Sequence, residues 1–222
     1  MTVAVAVDAI EVADPAEAWT QAGFTVDDDA VCRVGGVRIR LVGRGRGAAK
    51  AATSETGTGI VGWSLGGLPS GFSELDGIPT TRSDADFSTP AEHPNGVTGI
   101  DHVVLLSPDL ERTVASLAAI GVGPRRGRDA ELGGRAIRQI FFRLGEVIVE
   151  VVGAPGTAGA GPSTLWGITY VVADLDATAS FFGDYTSAVK DAVQPGRRIT
   201  TLRHHDLGMS VRTAMISAVR RR

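Results

Sequence analysis

His102 stands at the head of an apolar run in T-G-I-D-H-V-V-L-L-S-P-D-L-E-R-T, residues 98–113, and its type and setting suit chemistry. An imidazole there can ligate a metal ion or move a proton near neutral pH. Glu150, in G-E-V-I-V-E-V-V-G, is the second candidate. Period-two alternation puts Val147, Val149 and Val151 on one face of that run and Glu146, Ile148 and Glu150 on the other. A carboxylate facing away from packed valines can serve as a ligand or a general base. Phe141 and Trp166 lie in strand-like runs and are candidates for a ligand pocket, Trp166 at the mouth of its strand where its ring can stack on a planar ligand; Arg143 and Arg203 sit at corresponding strand ends where a guanidinium can grip an anion.

Other reactive residues read more plainly. Cys32 is the only cysteine, which excludes an intramolecular disulfide and a thiolate zinc site, and its setting in A-V-C-R-V is that of a buried thiol. His93, in A-E-H-P-N-G, reads as a linker histidine, and His204 and His205 as an exposed hairpin turn. The run L-V-G-R-G-R-G-A-A-K-A-A, residues 41–52, formally matches G-x-G-x-x-A after a strand. Trp63 stands where a dinucleotide site needs an acid, so the run reads as a glycine-rich connector. Ser64, in G-W-S-L-G-G, lacks the glycine spacing of a nucleophile elbow.

The elements that must position His102 and Glu150 recur along the chain. G-I-D-H-V-V-L-L-S reads as a buried strand leading to Asp109 as N-cap. The helical stripe Leu110, Val114, Leu117 and Ala118 follows and stops near Gly121. W-G-I-T-Y-V-V-A leads in the same way to Asp174, then Leu175, Ala179, Phe182 and Gly183. V-A-V-A-V-D-A-I-E-V-A leads more loosely to Asp14, Pro15, Trp19, Ala22 and Gly23. β-Rich sequence follows each helix: A-I-R-Q-I-F-F-R-L and E-V-I-V-E-V-V-G in the middle unit, R-R-I-T-T-L-R and M-S-V-R-T-A-M-I-S in the last, V-C-R-V, V-R-I-R-L-V-G and G-I-V-G-W-S-L in the first. Each unit is a strand, a helix and about three strands, with the helix on one sheet face and the other face free to line a concavity.

These residues resemble the vicinal oxygen chelate superfamily, the fold of glyoxalases, bleomycin-resistance proteins and extradiol dioxygenases. The likeness rests on G-I-D-H-V-V before P-D-L, on the strand glutamate of V-I-V-E-V-V, and on the second opening W-G-I-T-Y-V-V-A-D-L. It implies an α+β fold of tandem βαβββ modules forming a half-open, barrel-like bowl. The expected division is a degenerate βαβββ-like module over 1–68, a linker or long loop over 69–96, and paired modules over 97–218, namely 97–152 and 165–218. The resemblance also implies a divalent metal (Zn, Ni, Mn, Fe or Mg) held by a His or Gln on the first strand and a Glu on the last strand of each module. His102 and Glu150 match that pattern. Seven residues before Asp174 stands Gly167, no glutamate follows Glu150, and the first unit offers Val7 at the corresponding position. Completing the set would take His204, His205, an acid such as Asp8, Glu11 or Glu74 from the first unit, or a second chain.

Composition bounds the rest. The 222 residues are 43% hydrophobic and 21% charged, enough for one large core or two small ones. A net charge of -3 gives no reason to expect nucleic acid, and no apolar stretch approaches the roughly 20 residues of a membrane span. Arg220, Arg221 and Arg222 read as a solvated tail. The absence of a basic leader and the single cysteine point to the cytoplasm. An odd module would leave a sheet without its partner, so a homodimer is expected. The sequence thus supports a glyoxalase-like small-molecule-binding protein with an incomplete metal site and an open question of catalysis. The alternatives are a metal-dependent lyase, isomerase or dioxygenase acting on a small oxygen-rich substrate, and a structural partner-binding module.

Overall fold

In a computed structural model of the chain, residues 4–44, 57–85 and 89–219 are described. The glycine-rich run beyond residue 44 and the terminal arginines lie outside them.

Two sheets carry the architecture. The larger has eight strands and curls into a half-barrel. Its first half is β7 (Val97–Leu106), helix α2 (Leu110–Ala119), β8 (Pro124–Leu132), β9 (Arg135–Leu144) and β10 (Val147–Gly153). Its second half repeats the order with β11 (Thr164–Val172), α3 (Leu175–Phe182), β12 (Lys190–Asp191), β13 (Arg198–Thr201) and β14 (Arg212–Ser217). In each half the first and last strands pair in parallel, β7 with β10 and β11 with β14, and the halves join where β7 and β11 run antiparallel. The expected caps form. Asp109 accepts from the Arg112 N–H at 3.1 Å, and Asp174 from the N–H groups of Asp176 and Ala177.

The smaller sheet corrects the expectation of one degenerate module followed by a linker. Here β1 (Ala6–Val12), α1 (Ala16–Gln21), β2 (Val31–Val34) and β3 (Val37–Leu41) form a unit one strand short, with β1 parallel to β3. β4 (Ile60–Gly66) runs antiparallel to β1 and opens a second short unit with β5 (Glu74–Leu75) and β6 (Ile78–Ser83). The stretch 69–96 therefore contributes two strands, which its Pro, Gly and Ser content concealed. The β1–β4 pairing mirrors β7–β11, so the sheet supplies its own partner, and the odd-module argument for a homodimer loses its premise.

Asp14, expected to cap α1, has another use. Pro15 occupies the cap position without a side-chain bond, while Asp14 accepts from the Trp19 indole at 3.1 Å and from the Ser210 N–H at 3.0 Å. A buried carboxylate thus ties the small sheet to the half-barrel. Asp76 does the same from the β5–β6 turn, where it has a positive φ of 50° beside Gly77. Its carboxylate accepts from Arg112, Thr113 and Ser163, and its N–H donates to Ser116 Oγ at 3.1 Å. His93 is likewise a pin rather than a solvated linker residue. Its Nδ1 accepts from the Thr25 N–H at 3.0 Å, so Nε2 carries the hydrogen and donates to the Arg33 carbonyl at 3.1 Å.

One apolar cluster runs through both sheets, with Trp19, Trp63, Phe24 and Tyr170 among its largest buried side chains. Cys32 belongs to it, and burial, reinforced by the charge of Asp27, pushes its thiol up to about 12. No helix among the described residues is long and apolar enough to cross a membrane.

Candidate functional site

The concave face of the half-barrel brings His102 and Glu150 together. β7 and β10 pair with Ile148 opposite His102, so Glu150 lies one pleat further along the neighbouring strand, on the same face. His102 Nε2 is 3.4 Å from Glu150 Oε2. Val147, Val149 and Val151 of β10 pack inward as alternation requires, each no more than 1% exposed.

A bulge shapes the other side of His102. Along β7 the ladder to β11 passes from Ile100 opposite Tyr170 to His102 opposite Thr169 and skips Asp101. An extra residue in one strand re-aims its side chain. Asp101 Oδ2 consequently lies 2.8 Å from His102 Nδ1, although residues 101 and 102 of a regular strand face opposite ways. Arg197, almost wholly buried, donates to Asp101 and to Gln194, and its Nε donates to the Ser217 carbonyl at 2.7 Å. Burial alone would raise the Asp101 carboxyl. Hydrogen bonds from His102 and Arg197, with the guanidinium charge, outweigh it and hold the group down at about 2.

That assigns the imidazole. An ionised carboxylate only accepts, so Nδ1 carries the hydrogen toward Asp101 and Nε2 faces Glu150. The Nε2 to Oε2 contact is favourable when one further proton lies on either partner. Glu150 Oε1 is taken by the Gln139 amide, and Gln139 in turn accepts from Arg128. A cavity of about 220 Å³ opens over this chain of groups, lined by His102, Glu150, Gln139, Phe141, Arg126 and Arg128 among others. The Arg126 guanidinium sits 4.3 Å above the Phe141 ring and makes no ion pair among the described residues. Such a cavity can take a small anion or polar group against a planar apolar floor.

The remaining expected residues are elsewhere. Arg143 is exposed, donating to the Gly145 carbonyl at 2.7 Å, and Arg203 is exposed ahead of a 3-10 turn; neither lines the His102 cavity. Trp166 lines a separate compartment of the same face, with Arg212 4.8 Å from its ring. His204, expected in an exposed turn, is buried within that 3-10 turn, its ring 4.1 Å from that of His205; burial, and next the neighbouring His205, lower its pKa. Asp101, Arg126, Arg128, Gln139 and Arg197 were not singled out in the sequence. The bulge brings Asp101 to the site, the β8–β9 hairpin brings Arg126, Arg128 and Gln139, and the connection from β12 to β13 brings Arg197.

A metal centre of the implied kind needs more donors than this. His102 and Gly167 each stand seven residues before their capping aspartate, and Gly167 pairs with Arg212 as His102 pairs with Ile148. Two residues beyond Ile148 is Glu150; two beyond Arg212 is Ala214. The second half thus offers Gly167 and Ala214 where the first offers His102 and Glu150. Among the described residues no group of three or more His, Cys, Asp or Glu is placed to hold an ion. The residues present do not fit the four-donor site.

No family model and no curated protein matches the sequence. Solved structures do match the fold. A variant of 4-hydroxymandelate synthase from Streptomyces coelicolor is similar at a TM-score of 0.66 and 17% identity, covering 99% of this chain and 94% of that one. Catechol 2,3-dioxygenase matches at 0.58 and 11% identity, covering 97% and 88%. A variant of homoprotocatechuate 2,3-dioxygenase from B. fuscum matches at 0.57 and 11%, covering 97% and 71%. These alignments take in both sheets, and at such identities they speak for the fold alone. Two sheets with parallel-closed units, joined at antiparallel first strands, give this chain the fold of the vicinal oxygen chelate superfamily.

Proposed function

We propose that the chain is a small-molecule-binding protein whose site is the His102–Glu150 cavity and which works with half of the metal-ligand set. One observation carries this reading. The strand register puts Gly167 and Ala214 where the second pair of donors would stand, while His102 and Glu150 are already engaged by Asp101 and Gln139. The cavity keeps polar groups at His102, Glu150 and Gln139 and guanidinium groups at Arg126 and Arg128, which are what fix a small polar ligand.

Metal analysis of untagged protein, with a thermal-shift screen, tests it. The expected result is metal far below stoichiometry, with saturable stabilisation by a small anionic compound that is lost in His102→Ala. The second reading is a metal-dependent lyase, isomerase or dioxygenase. The facing of His102 and Glu150 across adjacent parallel strands favours it. Near-stoichiometric Zn, Ni, Mn, Fe or Mg that disappears in His102→Ala would establish that reading and overturn the first.

A further inference from the structure

The second half of the concave face carries a compartment of its own. This compartment of about 210 Å³ lies beside Gly167 and Ala214, walled by those two residues with Val104, Trp166, Leu202 and Arg212 among others. It is continuous in register with the His102 cavity. His102 and Val104 on β7, Ile199 and Thr201 on β13, and Ile216 and Ala214 on β14 are pairs two residues apart. The first of each pair lines the polar cavity and the second the other compartment. Two residues along a strand span about 7 Å. An apolar cavity of about 150 Å³ is enough to hold benzene, so a phenyl-sized group fits the second compartment.

The mouth of this compartment is built rather than incidental. The β7–β11 ladder passes from Leu165 opposite Leu105 to Gly167 opposite Val104 and skips Trp166. This second bulge turns the indole out of the sheet to 44% exposure, under the Arg212 guanidinium. At the polar end, Arg126 sits over Phe141 with no carboxylate partner among the described residues.

The geometry points to one ligand lying across both compartments. It is a small organic anion whose charged end meets Arg126 and Arg128 beside His102, and whose apolar group, up to phenyl size, fills the compartment beside Ala214 and Trp166. This rests on the binding reading of the His102 cavity and adds the ligand's chemical class and orientation.

Calorimetric and NMR titrations of the full chain with butyrate, 4-phenylbutyrate and 4-phenylbutan-1-ol test it, because the aromatic acid separates charge and ring by about the distance between the compartments. 4-Phenylbutyrate is expected to bind at least about tenfold more tightly than butyrate, from burial of the ring. It should shift both the His102 and the Trp166 side-chain signals. The alcohol should bind about tenfold more weakly than the acid, since it brings no charge to the arginines. Ala214→Leu, or the smaller Ala214→Val if that variant folds poorly, should reduce 4-phenylbutyrate to the affinity of butyrate. Equal binding of the two acids, or a ring preference that survives at position 214, overturns the inference while leaving the binding reading intact. If no probe shifts His102, both fall.

Discussion

The two halves of the half-barrel have the same frame and opposite contents. Each runs strand, aspartate cap, helix and three strands, and each closes with its first and last strands parallel in matching register. The first half presents His102 and Glu150 to the concavity; the second presents Gly167 and Ala214. Packing explains why the frame survives the difference. Caps, valine faces and ladder bonds lie on the convex side or in the backbone, so they do not depend on what the concave face carries. At 167 the backbone has closed in. A Cβ there would lie 2.8 Å from the Arg212 carbonyl oxygen, nearer than real Cβ atoms come to anything. The second half is therefore more than a metal site lacking one side chain; its strands pack too closely to receive one.

The halves are held in common by the small sheet, and the largest expected effect comes from removing that hold. Asp76 bonds Arg112 and Thr113 of α2 and Ser163 at the start of β11. Asp76→Ala removes the buried carboxylate that these three side chains share and breaks its ion pair with Arg112, and should lower stability by about 4 kcal/mol in urea unfolding. A loss under about 1 kcal/mol would mean that the halves dock without it.

Asp101→Asn comes next, at about 3 kcal/mol, because it turns an amide donor toward the buried Arg197 guanidinium or deprives His102 of its acceptor. The wild-type protein should show the same interaction in its acid limb. The folded carboxyl is depressed to about 2, below an unfolded value of about 3.9. The stability it contributes is thus fully present above about pH 4 and lost as pH falls toward 2. Unfolding curves across that window should be flatter in Asp101→Asn than in wild type.

Restoring a ligand to the second half sharpens the comparison further. Gly167→His should cost about 2 kcal/mol through overpacking and yield no gain in zinc affinity. Tight zinc binding by that variant would show that the strands can part to admit a donor at 167.

How much of this was legible in the sequence follows from which forces fix each feature. His102, Glu150, both aspartate caps and most strands of the half-barrel were readable, because regular elements repeat their periods. β5 and β6 were not, since their short edge pairing relies on β4 rather than on an apolar pattern of their own. β8 was not either: nearly every residue from Pro124 to Leu132 is exposed, so no alternation marks Arg126 and Arg128 as facing the cavity. Asp101 and Trp166 sit at bulges, where period-two reading gives the wrong face. Asp14 looked like a cap because its position is right, and tertiary partners claimed it instead.

The smallest expected effect tests the two carboxylates flanking His102 against each other. Glu150→Gln should change stability by less than about 1 kcal/mol, in contrast to Asp101→Asn, even though both variants trade a carboxylate for its amide. The reason is what each group faces. Asp101 faces donors only: the Arg197 guanidinium, the Gln194 amide and the Nδ1 hydrogen of His102. An amide there must point an N–H at another N–H. Glu150 faces the Gln139 amide on one oxygen and His102 Nε2, an acceptor in the assigned tautomer, on the other. An amide at 150 can accept from Gln139 and donate to Nε2 without the shared proton that the carboxylate needs. Paired urea titrations at pH 7 measure the contrast directly. A larger loss in Glu150→Gln than in Asp101→Asn would show that Nε2, not Nδ1, carries the imidazole hydrogen, and would move the acceptor end of His102 to the Asp101 side.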